Sequence, residues 1–191
     1  MGSRRQIAVG GVSVGGGVPV RVQSMTNTST AEAAATLAQI DSLAAAGCEI
    51  VRVALPRADD AAGFMKIVRA SPLPVIADIH FDWRLALAAL EAGAAGVRVN
   101  PGTIGDEDGV RRIVEAAGER GAAIRIGVNQ GSLPRPLRTL AERDPARALV
   151  EAAADYAARL DEWGFSAYKL SVKSSSVPVT TTALPASTWG W

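Results

Sequence analysis

Basic and amide side chains recur at matching positions in four β-like segments, each of which follows a helix-like run that ends at a glycine. Within a segment, apolar residues hold one parity and polar residues the other, as Val51 and Val53 alternate with Arg52. Alternate side chains of a strand point to opposite faces of a sheet. One face of the predicted sheet is therefore apolar, and the other carries these residues: Arg52, Arg98, Asn100, Arg125, Asn129, Lys169 and Lys173.

These seven side chains suit an anionic ligand. A buried cation is costly unless an anion faces it. Phosphate fits the set, because arginine offers a planar fork of donors and asparagine donates an amide. The alternative is internal pairing of the cations with carboxylates such as Asp78 and Asp82. We predict substrate binding, since the cations outnumber the acids that share their parity.

A second candidate group, the segment DIHFD (78–82), lies at the end of the third predicted strand. Asp78 and His80 are the candidate catalytic residues, because the only histidine in the chain can serve as acid, base or phosphate donor. Alternatively, Asp78 or Asp82 fixes the histidine, which then only shapes the rim. Asp82 suits a helix cap. Neighbours at i and i+2 on one strand rarely complete a metal site, so no metal is predicted in this chain.

Two loops add polar groups to the same end of the predicted sheet. Residues 23–28 carry hydroxyls and amides that suit an oxygen-rich ligand, or equally a turn that leads into a helix. Residues 100–105 offer backbone amides that either cradle a phosphate at a helix N-terminus or form a plain turn.

Alternating strand and helix patterns position these groups. A hairpin over 7–22 precedes a series of strands and helices, with strands predicted at 20–25, 50–55, 75–80, 97–100, 124–129 and 168–173. This order predicts an α/β fold with a parallel sheet. Because one face is polar in strand after strand, we predict a (β/α) TIM-type barrel rather than an open sheet, incomplete at six of eight strands. Residues 1–173 form this partial barrel, and the uncharged tail 174–191 is predicted to be irregular.

The overall composition of the chain argues against several classes of partner. The 191 residues carry a formal net charge of +1, which suggests neither a nucleic-acid nor a membrane partner. No segment reads as a membrane span or a signal peptide. The single cysteine, Cys48, cannot form an internal disulfide or alone hold an iron–sulfur cluster, and it suits a small buried residue in a reduced, cytoplasmic protein.

Five motifs in order resemble the 4-hydroxy-3-methylbut-2-enyl diphosphate synthase family of the non-mevalonate isoprenoid pathway: VQSMTNT (22–28), ADIHFD (77–82), RVNPG (98–102), RIGVN (125–129) and SVK (171–173). The resemblance covers residues 4 to about 179. It implies a barrel that binds 2-C-methyl-D-erythritol 2,4-cyclodiphosphate and a reductive ring opening to 4-hydroxy-3-methylbut-2-enyl diphosphate. It also implies a [4Fe-4S] cluster, reduction by ferredoxin or flavodoxin, and a homodimer.

On matching positions, the resemblance implies that Arg52, Arg98, Asn100, Arg125, Asn129 and a lysine of the sixth strand grip the diphosphate, while Asp78 and His80 shape the pocket. The family's cluster ligands, three cysteines and a glutamate, lie in a second domain and have no counterpart here. We therefore expect a truncated member that binds substrate but is inactive alone. The alternatives are a non-catalytic fragment of that enzyme and a dihydropteroate-synthase-like barrel.

Overall fold

Six parallel strands form one curled sheet, in which each strand pairs with its neighbour in the sequence. The computed structural model describes residues 5–100, 102–104 and 107–183. An antiparallel hairpin, β1 (Gln6–Val9) and β2 (Val12–Gly15), precedes the sheet. The sheet consists of β3 (Gln23–Met25), β4 (Ile50–Ala54), β5 (Val75–Asp78), β6 (Gly96–Val99), β7 (Ala123–Asn129) and β8 (Tyr168–Lys173). The predicted six-stranded, incomplete barrel with an N-terminal hairpin is confirmed.

Helices connect the strands and cover the outer face of the sheet. They are α1 (Ala33–Ala45), α2 (Ala61–Ala70), α3 (Trp83–Glu91), α4 (Glu107–Arg120), α5 (Arg138–Arg143), α6 (Pro145–Glu162) and α7 (Val177–Ala183). The glycines that follow α1, α3, α4 and α6 all have positive φ, a conformation that ends a helix without a Cβ penalty: Gly47, Gly93, Gly121 and Gly164. Asp144 caps α6 by accepting a hydrogen bond from the amide of Arg147.

The main hydrophobic core lies between the sheet and the helices. Val53 and Ile126, from the apolar parity of their strands, are at most 1% exposed and pack with Ile40 of α1 and Phe64 of α2. Because one parity of each strand packs against the helices, the side chains of the other parity point into the concave interior of the sheet. The register then sets neighbouring interior residues level with one another, and the pairs are Asp78 with Arg98, Arg98 with Arg125, and Arg125 with Lys169.

The hairpin closes the amino-terminal end of this interior. Ile7 and Val9 pack against Ile50, Ile76 and Ala123, which form the lowest interior layer of the sheet. The turn needs glycine at position 10, where φ is +54° and a Cβ would lie 2.6 Å from the Cβ of Pro74. The interior therefore has an apolar floor below its charged residues.

Two parts of the chain differ from the prediction. The first strand of the sheet begins at Gln23 rather than at Val20, which is 95% exposed. Residues 177–183 of the predicted irregular tail form α7. Pro178 stands in the first turn of this helix, where the missing amide costs no intrahelical hydrogen bond. Residues 184–191 lie outside the described residues.

Candidate anion-binding site

Asp78 is buried at the end of β5 and pairs with two arginines. Its Oδ2 lies 3.1 Å from Nε of Arg52, and its Oδ1 lies 3.2 Å from Nη1 of Arg98. Asp78 is 2% exposed and Arg98 is 8% exposed, so the carboxylate and one guanidinium are almost fully withdrawn from water. The alternative of internal pairing therefore holds for Arg52 and Arg98. One carboxylate shared by two cations leaves this trio with a net positive charge.

Arg52 is incompletely satisfied within the trio. Its buried Nε is close to Asp78, but the alignment is not that of a hydrogen bond. Its Nη2 lies 2.9 Å from Sδ of Met25, which is a weak acceptor. Arg52 therefore retains donor capacity for a stronger acceptor in the interior.

The cations of β7 and β8 contact neutral groups. Nη2 of Arg125 donates to Oγ of Ser171 at 2.9 Å, and Nζ of Lys169 donates to Oε1 of Gln23 at 3.1 Å. The second bond crosses the interior from the last strand of the sheet to its first. No ion pair in the described part of the chain includes Arg125, Lys169 or Lys173. Their charge is left for a ligand to neutralise.

The electrostatics of these groups reflect the excess of cations. Burial, followed by the charges of Arg125 and Arg52, lowers the pKa of Lys169 to about 8. Burial and the same arginines, joined by Arg98, lower the pKa of Lys173. Burial, Arg52 and Arg98 lower the pKa of Arg125, and Asp78 opposes them weakly. A bound anion would raise all three pKa values, because it stabilises the charged form of each group.

Asn100 follows the last residue of β6 and bonds to two loops. It is 6% exposed, its Nδ2 donates to Oγ of Ser132 at 2.8 Å, and its Oδ1 accepts from the amide of Gly102 at 3.0 Å. Asn100 thus links the loop after β6 to the loop after β7. Asn129 is half-buried, is level with the exposed Lys173, and its carbonyl accepts from Ser132 at 3.3 Å.

His80 lies beyond β5 on the exposed rim. Its ring is 6.0 Å from that of Phe81, which is 76% exposed, and its carbonyl accepts from Oγ1 of Thr103 at 2.8 Å. Within the described residues, neither Asp78 nor Asp82 bonds to the histidine ring. Asp82 instead accepts from the amide of Arg84 at 2.9 Å and caps α3, as predicted.

Of the two predicted polar loops, the structure describes the first completely and the second only in part. Gln23 reaches the interior, whereas Asn27 and Thr28 bond to Gln39 and Thr36 of α1, in agreement with the turn interpretation. In the loop over 100–105, positions 101 and 105 lie outside the described residues. Sequence reasoning missed Ser171 as an interior acceptor, although it shares the parity of Lys169 and Lys173.

The residues present do not fit an iron–sulfur cluster. Such a cluster is held by several cysteine thiolates, and the chain has one. Cys48 is buried just before the first residue of β4, with Sγ 3.1 Å from the carbonyl oxygen of Ile50. No cluster of three or more histidine, cysteine or acidic residues suited to a metal occurs in the described ranges. Those ranges also contain no helix with the length and apolarity to cross a bilayer.

Comparison with known proteins gives a family match, and relatives of which this chain covers about half. The GcpE TIM-barrel domain matches residues 4–187. The chain is 51% identical over 173 residues to 4-hydroxy-3-methylbut-2-en-1-yl diphosphate synthase (flavodoxin) of Aquifex aeolicus, covering 91% of this chain and 48% of that protein. It is 56% identical over 170 residues to the protein of the same name from Salinispora tropica, covering 88% and 44%. The chain therefore spans about half the length of the curated relatives it matches.

Solved structures support the fold. Dihydropteroate synthase of Xanthomonas albilineans superposes with a TM-score of 0.56 at 14% identity, covering 94% of this chain and 69% of that one. A mandelate oxidase variant superposes with a TM-score of 0.50 at 16% identity, covering 88% and 53%. At these identities the likeness concerns the barrel architecture alone.

Proposed function

Because the chain belongs to the family of the GcpE TIM-barrel domain, we propose that its interior binds the diphosphate of 2-C-methyl-D-erythritol 2,4-cyclodiphosphate. The observation that carries this proposal is the uncompensated charge of Arg125, Lys169 and Lys173 beside the Arg52–Asp78–Arg98 trio. A cyclic diphosphate brings negative charge and acceptor oxygens into a site where the cations outnumber the single carboxylate of Asp78.

The proposal assigns different tasks to the two groups of cations. Arg125, Lys169 and Lys173 exchange neutral partners or water for phosphate oxygens. Arg52 and Arg98 are held in place by Asp78 and present their remaining donors, so little side-chain entropy is lost when the ligand arrives. On this proposal Asn100, which also bonds to Ser132, and Asn129 donate to the diphosphate as well, while Asp78 and His80 shape the pocket as candidate catalytic residues.

The reaction to which this binding belongs is the reductive opening of the cyclodiphosphate ring to 4-hydroxy-3-methylbut-2-enyl diphosphate, in the cytoplasm, with flavodoxin or ferredoxin as the electron donor and a homodimer as the assembly. The relatives' name, which includes flavodoxin, supports this step. The chain's single cysteine does not fit the cluster that would carry the electrons. We therefore expect this chain to bind the substrate, and to show no turnover with reduced flavodoxin unless a cluster-bearing chain is supplied.

Calorimetric titration of the purified chain with the cyclodiphosphate tests the proposal. Arg125→Met should weaken binding roughly tenfold to a hundredfold, the range expected for lost charge-assisted hydrogen bonds. Arg120→Met is the matched control, because Arg120 lies on the outer helix α4 and pairs with Glu119. Absence of binding at millimolar ligand, or equal losses in the two variants, would refute the proposal.

A further inference from the structure

Gly127 occupies the one interior position of β7 between Arg125 and Asn129. An added Cβ would lie 3.1 Å from both Nε and Nη2 of Arg98 and 3.5 Å from its Cζ. The guanidinium of Arg98 therefore rests across the bare backbone of the neighbouring strand. No positive φ is recorded for Gly127, so steric space, and not backbone conformation, calls for glycine here.

The guanidinium is confined on both sides. Asp78 on β5 holds Nη1 at 3.2 Å, while Gly127 on β7 leaves room for the Nε and Nη2 edge. Arg98 is only 8% exposed, so it has little freedom to move away from a methyl group. Distances of 3.1 Å are tighter than ordinary carbon contacts of about 3.5–4.0 Å. A side chain at position 127 must shift the guanidinium or strain its pairing with Asp78.

We propose that Gly127 is a positioning residue of the anion site, which sets the orientation of Arg98 toward the ligand by leaving the space that its guanidinium occupies. This inference rests on the proposed function, because it assumes that the interior cations bind the diphosphate. Gly127 contacts no ligand in this account and acts only through Arg98.

Binding of inorganic pyrophosphate, measured by calorimetry, tests the inference separately from the identity of the natural substrate. Gly127→Ala should weaken binding about tenfold, as for one lost charge-assisted hydrogen bond. Gly131→Ala is the matched control, because a Cβ there has no heavy atom within 4 Å and no positive φ is involved. If the original chain binds neither pyrophosphate nor the cyclodiphosphate, the proposed function fails. If it binds and Gly127→Ala binds equally well, only the present inference fails.

A double-mutant cycle shows whether the effect passes through Arg98. Lysine at position 98 keeps the charge but lacks the planar edge that meets the new methyl group. Adding Gly127→Ala to Arg98→Lys should therefore change the affinity less than twofold, and an equal penalty in both backgrounds would overturn the inference. Should Gly127→Ala fail to fold, recovery of folding in the double variant supports the coupling, and failure of both contradicts it.

Discussion

Arg98 and Arg125 are register partners on β6 and β7, and both side chains enter the interior of the sheet. Like charges directly opposite one another on neighbouring strands destabilise a sheet. Here each arginine has a partner on its other side, because Arg98 donates to Asp78 on β5 and Arg125 donates to Ser171 on β8. The charge of Arg98 still helps to lower the pKa of Arg125, so an anion bound near both side chains would reduce their repulsion.

Replacing Asp78 with asparagine should lower the free energy of unfolding by about 3 kcal/mol, because removing one partner of a buried ion pair leaves unpaired charge in the interior. Added pyrophosphate should stabilise this variant more than the original chain, since the anion replaces the lost carboxylate. Urea denaturation with and without pyrophosphate measures both effects. Asp82→Asn is the control and should change stability by less than about 0.5 kcal/mol, because asparagine caps a helix about as well as aspartate does. Similar losses in the two variants would contradict a central role for Asp78.

The pH dependence of ligand binding should follow Lys169. Its pKa of about 8 in the folded chain is below the ordinary 10.5. As pH falls from 10.5 to about 8, Lys169 becomes protonated in the unfolded chain but stays neutral in the folded chain. The free energy of unfolding therefore decreases over this range. A bound diphosphate raises the pKa, so binding should take up a proton and weaken as pH rises above about 8.

Calorimetry at about pH 8.5 in buffers of different ionisation enthalpy measures this uptake. Lys169→Met should reduce it, whereas Lys66→Met, at an exposed position on α2, should leave it unchanged. Uptake that persists undiminished in Lys169→Met would assign the proton to another group.

The Asn100–Ser132 bond should hold the two rim loops together. Ser132→Ala removes the acceptor for the Asn100 amide, and we expect a loss of about 1 kcal/mol in stability. Amide hydrogen exchange should become faster at residues 102–104 and 130–132. Ser42→Ala removes a serine hydroxyl bond on the exposed face of α1 and should leave exchange at the rim unchanged. Unaltered rim exchange in Ser132→Ala would show that the loops hold without this bond.

The hairpin should contribute to the stability of the barrel floor. Val9 is 0% exposed and packs on Ile50 and Ile76, so Val9→Ala should cost about 2 kcal/mol. Val20→Ala, at a position that is 95% exposed, should change stability by less than about 0.5 kcal/mol. Thermal and chemical unfolding compare the two, and an equal response would mean that the hairpin packs only loosely.

The parity of the strands was enough to predict the interior position of Arg52, Arg98, Arg125 and Lys169, because burial of one sheet face fixes the other. Parity could not reveal which partner each cation takes. Asp78 meets two arginines because register and side-chain length bring them together, and Lys169 reaches Gln23 across 146 positions of sequence. Such contacts depend on the curvature of the whole sheet.

Local signals failed where a residue has two compatible roles. Asn100 has the parity of an interior ligand, and parity alone did not show that it also bonds to Ser132 and Gly102 in the loops beyond the strands. Pro178 suggested an irregular tail, although proline also suits the first turn of a helix such as α7. The space that Gly127 leaves for Arg98 has no sequence signal, since a glycine in a strand can equally mark a bulge.

The strictly sequential strand order has a consequence for biosynthesis. Each strand that leaves the ribosome can pair at once with the strand made just before it, so the sheet can grow vectorially. The Arg52–Asp78–Arg98 trio is complete once β6 has emerged, whereas Lys169 becomes available only with β8. A nascent chain thus acquires its partly neutralised cations first, and most of its uncompensated positive charge arises later in translation.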